Sequence, residues 1–351
     1  MRSVRIISVL APAALVLASC GGASDSSDAV IPGPDEARAA CLEVAPVEGR
    51  ALRVATTVAP ITSLVALITG DTGTEVQGIV PEGTNSHTFE PPPSAAALLE
   101  DADIVFMNGL GLEEPTRELA ESNAADAVLC EIGTAILPLE EWIFDFSFPE
   151  EGGKPNPHLW TNPPMVRDYM SLVLDVLVAA DPANADEYRA NHDALAIDVD
   201  ALDAAMATAT ATVPAPQRKL LTYHDAYAYF AVHYGWDVIG AIQPQSFEEP
   251  SPADIAVLIE QVKKEAVPAV FGSEVFPSPV LEQIGREAGV RYVDVLRDDD
   301  LPGAPGDPDH SWWGLMRFNY VTMVTALGGD PAVLESLVAT VSTPDRANYP
   351  Q

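Results

Sequence analysis

Short apolar, β-branched runs ending at Pro or Gly alternate with segments of helical spacing along most of the chain. Residues 53–58, 76–80, 103–107 and 127–132 form one set of such runs. Runs that are apolar throughout read as buried parallel strands, and their alternation with helical segments predicts an α/β unit. A second set begins after residue 215, at 219–223, 237–242, 269–273 and 291–296, with helical segments at 253–265 and 280–288 between them. The expected fold is therefore two doubly wound α/β lobes, each around a parallel sheet. There is no residue-level repeat between the halves.

Between the two sets, Tyr188, His192, Leu195, Val199, Leu202 and Met206 recur at spacings of four and three, which marks one buried stripe of a helix. Pro182 stands at its start, where a missing N–H costs nothing. A helix over 182–213 spans roughly 45 Å at 1.5 Å per residue, longer than one lobe. It predicts a rigid link that lets the lobes tilt only slightly. The expected boundaries are an N-terminal lobe at 51–181, the linking helix at 182–213 and a C-terminal lobe at 214–351.

The chain begins with Arg2 and Arg5, an apolar stretch over 6–17 and the small residues Ala18 and Ser19 before Cys20. This is the layout of a signal peptide over 1–19, too short in its apolar part to span a bilayer. Leu17-Ala18-Ser19-Cys20 resembles a bacterial lipobox, which implies lipidation of Cys20 and an anchor on the outer side of the cell membrane. Residues 21–35 are rich in Gly, Ser, Asp and Pro, so 20–50 reads as a flexible tether.

Composition narrows the partners. With 52 acidic and 18 basic residues among 351, the formal charge of −34 excludes nucleic acid and repels anionic headgroups. Acidity alone says nothing about metal binding. Of three cysteines, Cys41 and Cys130 remain once Cys20 is assigned to the anchor. In an oxidising compartment such a pair is expected to be bridged, two buried free thiols being the alternative.

The candidate chemistry lies in the histidines, of which there are six. His87 follows the run ending at Val80, His158 sits in a loop before a helical segment, and His224 follows the run 219–223. Asp294 lies in the last run. In open α/β sheets ligands bind at the carboxyl ends of strands. Three imidazoles and a carboxylate form a donor set suited to Zn²⁺, and less selectively to Mn²⁺. Separations of 71, 66 and 70 residues exclude a local finger. The expected site lies between the lobes and holds one ion per chain, with His87 and His158 from the first lobe and His224 and Asp294 from the second. Glu274 and His310 are the alternatives for the fourth ligand. His192 reads as a packing residue, and His233 falls on the helix face opposite His224.

Five segments carry a resemblance: FMNGLGLE from Phe106, GTNSHTFEPPPS around His87, NPHLWTNP around His158, YHDAYAYFAVHYG around His224 and DHSWWGLMRFN from Asp309. Over 53–327 the chain resembles the zinc and manganese class of ABC-transporter solute-binding lipoproteins, adhesin-like members included. The resemblance implies two α/β lobes, a linking helix, a metal in the cleft and an ABC permease as partner, with the protein a monomer. It matches the three histidines and places the family's terminal carboxylate at Asp294. Two departures stand out. Residues 144–157 contain no histidine, unlike the His-rich loop of many zinc-specific members, and 298–309 lengthens the closing segment. Manganese-selective relatives often carry Glu at the third position, so His224 favours Zn²⁺.

Two other classes compete. A zinc hydrolase needs an open coordination position and a general base. Glu90 is the one nearby candidate, outside any His-Glu-x-x-His helix and followed directly by Pro91–Pro93, so no enzyme is expected. A surface adhesin with a structural metal is the remaining alternative.

Overall fold

The computed structural model describes residues 31–242, 251–273, 278–341 and 343–350. The signal peptide 1–19, Cys20 and Glu274 lie outside the described residues.

The first half runs α1 (Pro34–Leu42), β1 (Arg53–Thr56), α2 (Ala59–Thr69), β2 (Glu75–Gly78), α3 (Pro93–Asp101) and β3 (Ile104–Met107). It continues with α4 (Glu114–Asn123), β4 (Val128–Glu131), α5 (Ile132–Ile136) and α6 (Pro163–Ala180). A long helix, α7 (Ala185–Thr212), leads to the second half. There β5 (Lys219–Thr222), α8 (Ala228–Tyr234), β6 (Asp237–Ala241), α9 (Pro252–Glu265) and β7 (Ala269–Ser273) are followed by α10 (Pro279–Ala288), β8 (Arg291–Leu296), α11 (Trp312–Ala326) and α12 (Ala332–Glu335). Seven strands fall within the apolar runs, and β2 starts one residue before its run, at Glu75.

Both sheets are parallel and share one order, β2-β1-β3-β4 and β6-β5-β7-β8. Each therefore reverses direction beside its first strand, and the crevice outside the strand ends at that point is where such sheets take ligands. The two-lobe α/β architecture expected from the apolar runs is the one observed.

The lobes share a core. One apolar cluster takes Val54, Ile104 and Phe106 from the first sheet, Leu220, Phe271 and Val293 from the second, and Val199, Leu202, Trp312 and Tyr320 from the helices between. Smaller clusters fill the outer faces, Leu99 and Val105 on one side, Val262 and Ile284 on the other. Helix α7 is embedded along this core, packing on α2 and α6 and meeting α8, α11 and α12. The stripe read from the sequence is its buried side, except that His192 is half-buried and bonds the neighbouring Asp193 carboxylate at 3.0 Å. A shared core resists hinge motion, because opening the lobes would expose packed apolar surface to water.

Two further ties act in the same sense. The buried Asp198 carboxylate accepts from Thr340 N and Val341 N, and Asn348 extends the edge of β2 through Asn348 N to Val76 O and Gly78 N to Asn348 O, both 2.9 Å. A disulfide links Cys41 in α1 to Cys130 in β4, closing 89 residues of chain. Among the described residues no helix is long and apolar enough to cross a membrane.

Candidate metal centre

Each histidine is delivered by a loop at the carboxyl end of a sheet. His87 sits in a turn after β2, where its N–H donates to the Asn85 side chain at 2.9 Å. His224 directly follows β5 and Tyr223, and its carbonyl accepts from Thr222 Oγ1 at 2.7 Å. His158 precedes a short 3₁₀ turn, Leu159–Thr161, that leads into α6.

The support behind His158 explains the Gly-rich segment after β3. The buried Glu113 carboxylate accepts from Thr57 Oγ1 and Asn108 N, both at 2.7 Å, and from Gly109 N at 3.2 Å. Burial pushes its pKa up to about 7. Asn108 then donates to Pro157 O at 2.9 Å, holding the backbone just before His158. Gly109 has φ of +77°, and a Cβ there would stand 2.3 Å from Thr134 Oγ1, so only glycine fits.

The three rings converge through their Nε2 atoms. His87 to His158 and His87 to His224 are both 3.2 Å, and His158 to His224 is 2.8 Å. Four nitrogens at the 2.0–2.1 Å typical of Zn²⁺ lie about 3.3 Å apart on the edges of a tetrahedron. Two of the three separations match, and the third must widen by about 0.5 Å.

The site holds the rings neutral. Desolvation lowers His224 to about 4, and desolvation together with the neighbouring rings lowers His87 and His158 well below the usual imidazole value. Neutral imidazole is the form that ligates. The tautomer of His158 is set by Asn156, whose Oδ1 accepts from His158 Nδ1 at 2.8 Å and from His158 N at 3.0 Å. Asn156 Nδ2 donates to Asp145 Oδ2 at 2.8 Å and to Asp225 O at 2.7 Å, which fixes the orientation of its amide. The proton of His158 is thus on Nδ1 and the lone pair of Nε2 points at its two partners.

Asp294 stands apart from them. In β8, Val293 lies opposite Phe271 but Leu296 lies opposite Ser273, so one extra residue is accommodated between them. The bulge turns Val293 and Leu296 into the core and leaves Asp294 and Val295 exposed. Within the described residues, the group whose ligating atoms all approach within 4.8 Å is His87, His158 and His224 alone. Asp294 lies outside that group. His310 is also elsewhere, buried against the Tyr349 ring with Nε2 3.8 Å from Glu82, and His233 bonds Asp203 at 2.8 Å on the surface.

What the residue-by-residue reading missed is the run Asp298, Asp299 and Asp300, just beyond β8. These three line a small recess together with His224, Thr84, Asn85 and Ser273. Asp299 accepts from Ser86 Oγ at 2.5 Å through Oδ2, while its buried Oδ1 has no hydrogen-bond partner. Burial raises its pKa to about 6, and burial with Asp299 and Asp300 nearby raises Asp298 further. Burial and like charge disfavour the ionised form of both, and a cation beside them would offset that cost. The signal was available: three carboxylates follow a strand end, whereas Asp294 is inside the strand.

Residues 54–326 match the family of the periplasmic component A of the zinc-uptake complex. The chain belongs to the metal-binding solute-binding lipoproteins of ABC transporters. The manganese-binding lipoprotein MntA of Halalkalibacterium halodurans is 31% identical over 282 residues, covering 80% of this chain and 90% of that one. The iron-binding protein YfeA of Yersinia pestis is 27% identical over 277 residues, covering 79% and 86%. Among solved structures, the periplasmic zinc-binding protein TroA of Treponema pallidum aligns with a TM-score of 0.72 at 24% identity, over 79% of this chain and 99% of that one. Solute-binding proteins of this family deliver cargo to a permease and are not enzymes.

Proposed function

We propose that this lipoprotein captures one divalent transition-metal ion, Zn²⁺ ahead of Mn²⁺, and passes it to the permease of an ABC importer. His87, His158 and His224 supply three ligands and a carboxylate of the run 298–300, Asp299 foremost, supplies the fourth. The observation that carries this reading is the convergence of three neutral Nε2 atoms to within 3.2 Å of one another. Such a cluster suits a metal ion, because it brings three imidazole nitrogens together at ligand spacing. An N₃O set of tetrahedral span suits Zn²⁺, and the anionic donor offsets part of its charge. Lipidation at Cys20 would keep the protein beside the permease.

The test is metal analysis of protein exposed to equimolar Zn²⁺ and Mn²⁺ and then dialysed. One Zn²⁺ per chain, lost in His158→Ala, is expected. Retention of neither metal overturns the site, whereas retention of Mn²⁺ in place of Zn²⁺ overturns the cargo preference alone. Relatives named for manganese and for iron make that second outcome a specific alternative.

A further inference from the structure

The segment 144–157, which carries no histidine, folds over the metal centre. Residues 145–148 form a tight turn, with Asp145 N donating to Phe148 O at 2.9 Å and Phe148 N to Asp145 Oδ1 at 3.2 Å. The turn is fastened to the opposite lobe: Ser147 N donates to Asp225 Oδ2 at 3.3 Å, one residue beyond His224. Asn156 ties Asp145 and the Asp225 carbonyl together from behind. This places the half-buried Phe148 ring against two ligands at once, 5.6 Å from the His87 ring and 5.8 Å from the His158 ring between centroids.

A phenyl ring in that position has no donor or acceptor to offer a metal, and it fills space that water would otherwise take. A four-coordinate ion needs no water, whereas ions that prefer six ligands complete their shell with water or further oxygens. We infer that Phe148 is a gate on the site: it excludes added water ligands, so discriminating against six-coordinate cargo, and it moves aside with the 145–148 turn before the ion leaves. This rests on the reading that His87, His158 and His224 hold the ion. Because the shared core resists lobe hinging, a local turn held by a few hydrogen bonds is the cheaper element to move.

The experiment compares full-length wild type with Phe148→Ala, Phe148→Leu and Ser147→Pro. Release of Zn²⁺ to a chromophoric chelator is followed by stopped flow, and relative affinity for Zn²⁺ and Mn²⁺ by competition. Phe148→Ala should release Zn²⁺ faster by about ten- to a hundredfold, in the range of other changes around metal ligands. Its preference for Zn²⁺ over Mn²⁺ should fall, with one ion still bound per chain, and Phe148→Leu should lie between. Ser147→Pro removes the N–H that fastens the turn while keeping the ring, so it should speed release, and it carries the test if Phe148→Ala misfolds. Wild-type release and wild-type preference in a folded Phe148→Ala overturn the gate and leave the site standing. Failure of the wild type itself to bind either metal removes the site, and the gate with it.

Discussion

Asn156 makes no contact with cargo in this arrangement, yet it should govern affinity. Replacing it by Leu, of similar volume, removes the acceptor that keeps the His158 proton on Nδ1 and the donor that ties Asp145 to the Asp225 carbonyl. The ring is then free to rotate and to adopt the tautomer that protonates Nε2. Loss of such a partner behind a ligand costs 10–100-fold in metal affinity, or about 1.4–2.7 kcal/mol. A buried group left unsatisfied costs about 1–3 kcal/mol of stability in addition. Asn156→Asp separates the two effects, since a carboxylate still accepts from Nδ1 but cannot donate to Asp145. It should recover more affinity than stability. Competition against a chelator of known affinity measures the first, and urea unfolding of the metal-free protein the second. An Asn156→Leu variant with native circular dichroism and wild-type affinity for Zn²⁺ would refute the reasoning.

Three further outcomes follow from the structure. Asp299→Asn should weaken metal binding while Asp294→Asn leaves it unchanged; the reverse pattern would restore the carboxylate inside β8 as the ligand. For the metal-free protein, His224 is shifted from 6.5 to about 4, so the folded state binds fewer protons than the unfolded one between these values. Its contribution to stability is present above pH 6.5 and is lost as pH falls towards 4, to the extent of about 3 kcal/mol. Denaturant midpoints should show this loss, and it should shrink in His224→Gln; an identical pH profile in the variant would count against it. Reduction of the link between Cys41 and Cys130 releases a loop of 89 residues. By the chain-entropy account it should cost about 4–5 kcal/mol in urea unfolding, and an unchanged midpoint under reductant would argue that the bridge is absent in solution.

Much of the molecule was legible in the linear order of residues. The parallel strands carry short apolar, β-branched stretches, so all eight could be located locally to within a residue, and the long helix announced itself through the spacing of Tyr188, Leu195, Val199 and Met206. His87, His158 and His224 stood out because histidine is scarce here, with His87 and His224 in loops after strands and His158 in a loop before a helix. The three-dimensional structure decided what depends on register and on distant partners. A bulge between Val293 and Leu296 is invisible to strand periodicity, yet it sends Asp294 to the surface and leaves the run 298–300 beside His224. Likewise, nothing in the order of residues joins Asn156 to Asp225 or Phe148 to His87, since those contacts form only when two lobes sharing one core bring their loops together.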